Sequence, residues 1–348
     1  MIFNNMAIIF TICSYNYSAL GLTLFHSLRE YNPDVKFILA LVDTPQNYQL
    51  LREKMPEGMN LLLVDENVVS DYAGLQKRYN ITELNTAVKP FVFEHLFSTY
   101  PDSDQVIYLD PDIMVFHSLK DELLNHFNQY DMILTPHITQ PRPEDKIAIA
   151  ERASINTGMF NLGFLGLKRS PSVFSMLEWW KLRLRSWGYI NVYEGMFTDQ
   201  IWMNFLPLFY DKVLIFKHPG ANVAHWNLME RRFLKINDKY YVNDDKHPLL
   251  FYHFSAFTHV AGQVDGEKPA SIFTGDNDKR QDLVDEIILA YQKKLVSLGH
   301  GNFFIQKNGK PSSFSLKNSM KNFIIKSLRK NGYEIAKTIK YYELKKLI

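Results

Sequence analysis

Short apolar runs alternate with helically spaced apolar residues from the start of the chain. Residues 6–13 (Met-Ala-Ile-Ile-Phe-Thr-Ile-Cys), 35–42 and 60–64 are short and dense in apolar side chains, which predicts strands. Between the first two, Leu20, Leu24 and Leu28 recur at helical spacing with Phe25 alongside, so 19–31 reads as a helix ended by Asn32-Pro33-Asp34. Residues 51–55 read as the end of a second helix. Strand–helix–strand at this spacing implies a parallel sheet with helices on its faces and right-handed crossovers. The same pattern predicts a helix over 85–97 with Pro90 in its first turn, a strand over 106–109, a short helix over 119–127 and a strand over 131–134. A helix leading to Ile155 follows, then an aromatic helix over 172–187 whose Trp179, Trp180 and Trp187 read as core. Strands over 213–216 and 249–255 complete the pattern. The fold class is α/β.

The chain is organised around residues 105–116, Gln-Val-Ile-Tyr-Leu-Asp-Pro-Asp-Ile-Met-Val-Phe. The apolar run reads as a strand buried on both faces, and Pro111 should break its ladder. Asp110 and Asp112 are thereby delivered to the end of a buried strand, where open α/β sheets place ligands. Two neighbouring carboxylates repel unless a cation lies between them, and Mg²⁺ or Mn²⁺ commonly bridges carboxylates to phosphates. A metal–diphosphate site follows. The competing readings are an acidic turn, since Asp and Pro are ordinary turn residues, and a phosphatase with Asp110 as nucleophile and Asp112 as acid/base. Asp276 and Asp278 would supply the later acidic pair of such a phosphatase.

Other polar positions gather at predicted strand and helix ends. Thr11, Ser14, Tyr15 and Asp43 would share a sheet edge with Asp110, in the crevice that normally takes a nucleotide; singly, each is as readily a loop residue. Lys89 at a helix start opposes the helix dipole and so answers either to an anion such as a diphosphate or to solvent. Glycines within 156–167 allow close backbone approach to a ligand or mark a structural turn. Thr198 or Asp199 suits a helix cap, and Asp199 with Gln200 suits the face of a reacting sugar. His253 on the last strand is either a core histidine or a metal ligand.

Composition narrows the class. A hydrophobic share of 46% with 22% charged residues is that of a globular chain. The single cysteine, Cys13, excludes an internal disulfide and a cysteine-based zinc site and suits a reducing cytosol. The N-terminus lacks the basic residue and cleavage site of a signal peptide, and no apolar stretch is long enough to span a bilayer. Net charge is +2, yet the segment from Lys293 onward carries 13 Lys and Arg against two acids, leaving the remainder at −9. Residues 282–295 read as a helix. Over 315–330, Leu316, Met320, Phe323, Ile324 and Leu328 share one face among Lys317, Lys321, Lys326, Arg329 and Lys330, as in a basic amphipathic helix suited to a membrane interface. A docked surface helix is the plainer alternative. No nucleic-acid recognition motif is present.

The motifs Tyr-Leu-Asp-Pro-Asp, Phe-Asn-Leu-Gly, Asp-Gln-x-x-x-Asn, Asn-Val-Ala-x-Trp-Asn-Leu and His-Phe-Ser-x-Phe occur in that order. In this, residues 6–260 resemble bacterial GT-A nucleotide-sugar glycosyltransferases of surface-polysaccharide clusters and, more distantly, the retaining family 8 enzymes. The resemblance implies a mostly parallel GT-A sheet over 1–265, with a basic helical segment over 266–348. It implies that Asp110 meets the ribose and the metal, and that Asp112 and His253 bind the metal, Mn²⁺ or Mg²⁺, with His225 as the alternative to His253. It places Asn161 and Gly163 beside the donor sugar, Asp199 and Gln200 at its reacting face, and Thr11, Asp43 and Lys89 on the nucleotide. The implied partners are a nucleotide-sugar donor, a glycan or lipid-linked glycan acceptor and an anionic membrane surface at the inner face of the cytoplasmic membrane. Family 8 follows its late histidine with Gly and then Lys-Pro-Trp; here Phe-Ser-Ala-Phe stands instead. A non-catalytic nucleotide-sugar or glycan binder would keep the pocket without needing Asp199 or Gln200.

Overall fold

The structure, a computed structural model, describes residues 6–143, 151–255 and 280–299. In chain order the first half runs β1 (Ile8–Cys13), α1 (Ser18–Tyr31), β2 (Lys36–Leu41), α2 (Pro45–Arg52), β3 (Met59–Leu63), α3 (Tyr72–Arg78), α4 (Ile81–Ala87), α5 (Lys89–Thr99), β4 (Gln105–Leu109), β5 (Ile113–Val115) and β6 (Met132–Pro136). It continues through α6 (Glu151–Thr157), β7 (Phe160–Lys168), α7 (Pro171–Leu184), β8 (Ile190–Asn191), β9 (Met196–Phe197), α8 (Leu206–Phe209) and β10 (Val213–Ile215). The hairpin β11 (Phe233–Ile236) and β12 (Lys239–Val242), then β13 (Phe251–His253) and α9 (Arg280–Ser297) follow.

Seven strands form the main sheet in the order β10-β6-β7-β4-β1-β2-β3. β1 pairs in parallel with β2 and β4, β2 with β3, and β10 with β6; only β7 runs the other way, against β4 and β6. This is a mostly parallel, helix-flanked α/β architecture, as the sequence implies. Alternate residues of each strand feed opposite cores, as the two-residue side-chain period requires. Ile8, Phe10, Val106 and Tyr108 pack with α5 and α7 on one face, and Ile9, Cys13, Ile107 and Leu109 with α1 on the other. Phe10 meets Phe93 of α5 edge-on at 4.8 Å between ring centroids, a favoured aromatic geometry.

Two irregularities shape the end of the sheet. Leu134 of β6 faces Leu165 of β7, while Pro136 faces Phe160. Five steps along β7 therefore match two along β6, and the extra residues bulge out of the ladder. Bulges re-aim side chains near sites, and this one carries Asn161, Leu162 and Gly163. Beyond Asp110-Pro111-Asp112, the chain leaves the main sheet to form β5, which pairs antiparallel with β13. The expected strand over 249–255 is thus shorter and belongs to this separate ladder.

Other expected elements differ for local reasons. The helix over 85–97 is two helices that share Val88 as C-cap and N-cap, because Pro90 cannot supply the N–H needed to continue α4 and suits the first turn of α5. Residues 119–127 form turns and a 3₁₀ segment, Leu124–Asn128; Asn32 Oδ1 accepts from Leu119 N at 2.7 Å and ties the segment's start to the end of α1. The aromatic helix stops at Leu184. Trp180 is fully buried, but Trp187 is 53% exposed and stacks on Trp202 outside the core.

Helix α9 lies on a third cluster with Phe116, Tyr252 and Phe254, and Tyr291 stacks flat on Phe254 at 3.8 Å. Residues 315–330 lie outside the described residues. Among those described, no helix is long and apolar enough to cross a membrane.

Candidate active site

The site is built where β4, β5, β7 and β13 converge. Tyr108 and Asp110 lie two residues apart and so face the same way; the Tyr108 hydroxyl donates to Asp110 Oδ1. Burial, and then the Asp110 charge, hold the Tyr108 phenol well above its ordinary pKa, so it remains a donor. The Asp110 N–H donates to Gly163 O at 2.8 Å, fixing the end of β4 against the bulge. Phe254 N donates to Asp112 O at 2.8 Å, and His253 sits opposite Ile113 in the β13–β5 ladder.

These bonds bring together Asp110, Asp112 and His253, with one ligand atom from each lying within 4.8 Å of the others. His253 Nε2 is 3.1 Å from Asp112 Oδ1 and 3.5 Å from Asp110 Oδ2. The His253 side chain is 4% exposed, whereas Asp110 and Asp112 are 28% and 23% exposed, so the carboxylates keep a side open to solvent. Burial disfavours a charged imidazole, but the Asp112 and Asp110 carboxylates outweigh it and hold the His253 pKa above 6.5. Burial raises the Asp110 carboxyl, and Lys89 and His253 offset this only in part. A cation between the three groups relieves both strains. Two carboxylates with one imidazole suit a divalent ion of the Mg²⁺–Mn²⁺ kind. His253, rather than His225, joins the carboxylates; His225 packs against Trp226 at 4.9 Å.

Gly163 makes room for this arrangement. A Cβ placed there would lie 2.4 Å from His253 Cε1 and 2.7 Å from Asn161 Oδ1. Its role in the structure is to admit the imidazole. Asn161 Oδ1 accepts from Gly163 N at 3.0 Å, Asn222 Nδ2 at 3.0 Å and His253 Nδ1 at 3.2 Å.

A second group adjoins the first. Lys89 is 2% exposed, and its Nζ lies 2.8 Å from Asp199 Oδ2 and 3.9 Å from Asp110 Oδ1. It donates to Leu162 O at 2.9 Å and rides 4.2 Å over the Tyr108 ring. Lys89 therefore answers first to Asp199 and the bulge backbone. Asp199 is itself 2% exposed and accepts from the Thr198 hydroxyl at 3.1 Å. Thr198 has φ 48°, a costly backbone region for a β-branched residue and one concentrated at functional sites. Gln200 is held by the backbone on both sides, its Nε2 donating to Thr157 O at 2.7 Å and its Oε1 accepting from Leu162 N at 3.2 Å.

The candidates on β1 and β2 are arranged differently. Thr11 is fully buried, its methyl 3.5 Å from where a Cβ of Gly21 would lie under α1. Ser14 donates to Asn16 Oδ1 at 2.7 Å. Tyr15 N donates to Asp43 Oδ2 at 2.9 Å, and the Tyr15 hydroxyl accepts from Lys54 at 2.9 Å. Asp43 Oδ1 accepts from Thr44 N and Asn47 Nδ2, fastening the start of α2.

Sequence reasoning missed Tyr108, Thr198, His137, Trp226 and Asn222. The i, i+2 relation to Asp110 was a readable signal for Tyr108. His137, whose pKa burial lowers to about 4, takes a hydrogen bond from Asn161 Nδ2 at 3.2 Å on its Nε2. Trp226 stands edge-on between His137 and His253. Asn222 and Trp226 stand in the motif Asn-Val-Ala-x-Trp-Asn-Leu, but nothing local gave them or His137 a role, because residues far apart in the chain assemble the site. Asp276 and Asp278 lie outside the described residues.

No family model matches the chain. Two Bacillus subtilis proteins of uncharacterised function are similar to it. YfnF is 26% identical over 242 residues, 69% of this chain and 78% of that protein, and YfnD is 25% identical over 239 residues, 68% and 73% respectively. Among solved structures, the galactosyltransferase LgtC in complex with donor and acceptor sugar analogues is 15% identical with a TM-score of 0.46, over 86% of this chain and 98% of that one. Mouse xyloside xylosyltransferase 1 is 12% identical with a TM-score of 0.42, over 73% and 99%. The glycosyltransferase GlyE of Streptococcus pneumoniae is 16% identical with a TM-score of 0.44, over 88% and 66%.

Proposed function

We propose that the protein is a metal-dependent glycosyltransferase that moves a sugar from a nucleoside-diphosphate sugar, a UDP-sugar, to a glycan or lipid-linked glycan acceptor in cell-surface polysaccharide synthesis. The observation that carries this reading is the Asp110–Asp112–His253 cluster, partly open to solvent, at the end of a buried strand and adjoined by Lys89 and its partner Asp199. Asp110, Asp112 and His253 Nε2 would hold Mn²⁺ or Mg²⁺. When bound, the ion supplies Lewis-acid neutralisation of the charge that accumulates on the departing diphosphate.

The protein's own part is positioning and fixed electrostatics. Asp199 is buried with its oxygens engaged by Lys89 and Thr198. That is a poor position for a base that must collect a proton from an incoming acceptor. It is a good position for a fixed negative charge beside an oxocarbenium-like centre, with Gln200 as a rigid dipole alongside. Both features favour transfer with retention. We assign Thr11, Ser14, Tyr15 and Asp43 to the framework of the nucleotide end, and the basic segment 266–348 to a loose hold on an anionic membrane surface at the cytoplasmic face.

The test is turnover. Purified protein with Mn²⁺ and a panel of UDP-hexoses should release UDP, faster with a suitable acceptor, and product NMR should show the donor's anomeric configuration. Asp112→Ala should abolish release. Absence of donor consumption across nucleotide-sugar classes, with or without metal, would overturn the assignment.

A further inference from the structure

We propose that Asn222, acting through Asn161, is a positioning residue for the metal site that fixes the tautomer and aim of His253. This rests on the reading of Asp110, Asp112 and His253 as metal ligands. Backbone groups, whose donor and acceptor roles cannot change, set the polarity of the hydrogen-bond network.

Thr157 O can only accept, so the Gln200 nitrogen is the atom that faces it, at 2.7 Å. Leu162 N can only donate, so the Gln200 oxygen faces it, at 3.2 Å. That oxygen lies 3.5 Å from Asn161 Nδ2, at the outer edge of hydrogen bonding. The Asn161 amide must then turn its oxygen the other way, where Gly163 N donates to it at 3.0 Å. His253 Nδ1 lies 3.2 Å from this same oxygen and must bring a hydrogen to it. The neutral ring is thereby the Nδ1–H tautomer, and the Nε2 lone pair is left facing Asp110 and Asp112. Metal-ligating histidines need such a partner on the other ring nitrogen.

Asn222 closes the network. It is fully buried, and its Nδ2 donates to Asn161 Oδ1 at 3.0 Å and to Thr135 Oγ1 at 3.0 Å. Both of its amide hydrogens are used, and Asn161 cannot flip without setting two NH₂ groups against each other. Asn222 has φ 49°, a conformation that Asn, Asp and Gly adopt more readily than other residues. A single side chain thus serves the loop's backbone and the orientation of the ligand. Asn227 holds the loop closed, donating to Asn222 O at 3.0 Å and to His137 O at 3.2 Å.

The experiment uses the full chain with Mn²⁺ alone as probe. Asn222→Gly keeps the backbone conformation and removes the amide; Asn222→Asp keeps shape and conformation but loses both donors. Mn²⁺ titrations followed by electron paramagnetic resonance should show the dissociation constant rising about 10–100-fold in both variants, the range expected for loss of a ligand's hydrogen-bonded support. Long-range ¹H–¹⁵N spectra of metal-free protein at alkaline pH, with His253 assigned by its loss in His253→Gln, should show the Nδ1–H tautomer in the wild type and a tautomer mixture in the variants. A merely structural role would lower thermal stability without moving the tautomer. Folded variants with wild-type Mn²⁺ affinity and an unchanged tautomer would overturn the proposal, as would a wild-type ring protonated at Nε2. If the wild type binds no Mn²⁺, the metal reading fails, while the tautomer spectrum still decides the role of Asn222.

Discussion

Two regions at the same edge of the sheet carry polar residues just after buried strands, and they are built differently. At the ends of β1 and β2, Ser14, Tyr15 and Asp43 direct hydrogen bonds to near neighbours, joining the loop after β1 to α2. At the end of β4, Asp110 with Asp112, His253, Lys89 and Asp199 come from four separate stretches and turn toward one another. The first arrangement is a frame with its bonds closed. The second holds two like charges, the Asp110 and Asp112 carboxylates, within 4.8 Å of each other beside His253 and keeps an open side. A buried strand followed by an acid is therefore only a place to look; what distinguishes a site is convergence with residues distant in sequence.

This contrast can be broken from its strong end. Asp112→Ala should remove Mn²⁺ binding and lower transferase turnover by ~10³-fold or more, since metal-assisted charge stabilisation is worth several kcal/mol. Next, Lys89→Met should leave Asp199 charged and buried without its cation, costing about 3–5 kcal/mol of stability, whereas Lys89→Met with Asp199→Leu should recover much of that loss. Chemical denaturation of the wild type and the two variants measures this. Equal losses in the single and double variants would show that the pair is not coupled.

Gly163→Ala places a methyl within 2.4 Å of His253 Cε1, and overpacking of this kind costs about 1–3 kcal/mol. The expected result is a displaced ring and an Mn²⁺ dissociation constant about 10–100-fold weaker. The pH dependence follows from His253. Its pKa is raised above 6.5 by the neighbouring carboxylates. In metal-free protein the protonated ring therefore adds stability at pH below 6.5, and that contribution is lost as pH rises through the raised value. Metal needs the neutral ring, so Mn²⁺ affinity should fall as pH drops through that value, and His253→Gln should flatten the curve. The smallest effect belongs to the frame. Asp43→Ala should cost about 1 kcal/mol, as loss of helix-start support does, and leave Mn²⁺ affinity unchanged.

Much of this was legible because it is local. The alternation of apolar runs marks β1, β2, β3, β4, β6 and β10 to within a residue or two, and Asp110-Pro111-Asp112 marks its own ladder break; β7 went unmarked because its glycines read as a ligand approach or a turn. Lys89 stands at a helix start as its Pro90 neighbour implies, and the distant resemblance in motif order singled out His253, Asn161 and Asp199. What stayed hidden depends on pairing register. The bulge on β7 that aims Asn161 inward is invisible until Leu134 and Pro136 find their partners. Gly163 reads as a ligand-facing glycine until the imidazole of a strand far along the chain is seen to fill its space. Lys89 reads as facing either an anion such as a diphosphate or solvent, and nothing near it in sequence announces its pairing with Asp199. Trp187 reads as core by composition, yet the helix ends at Leu184, and Gly188 then donates to the Tyr79 hydroxyl at 2.9 Å, leaving Trp187 outside.

The central claim is that Asp110, Asp112 and His253 hold a divalent ion to which a nucleoside diphosphate binds. The most direct measurement is calorimetric titration of UDP, GDP and CMP into the wild type and Asp112→Ala, each with and without Mn²⁺. UDP should bind only in the presence of Mn²⁺, and that binding should disappear in the variant. Nucleotide binding of equal strength without metal, or no binding of any nucleotide in its presence, would contradict the claim.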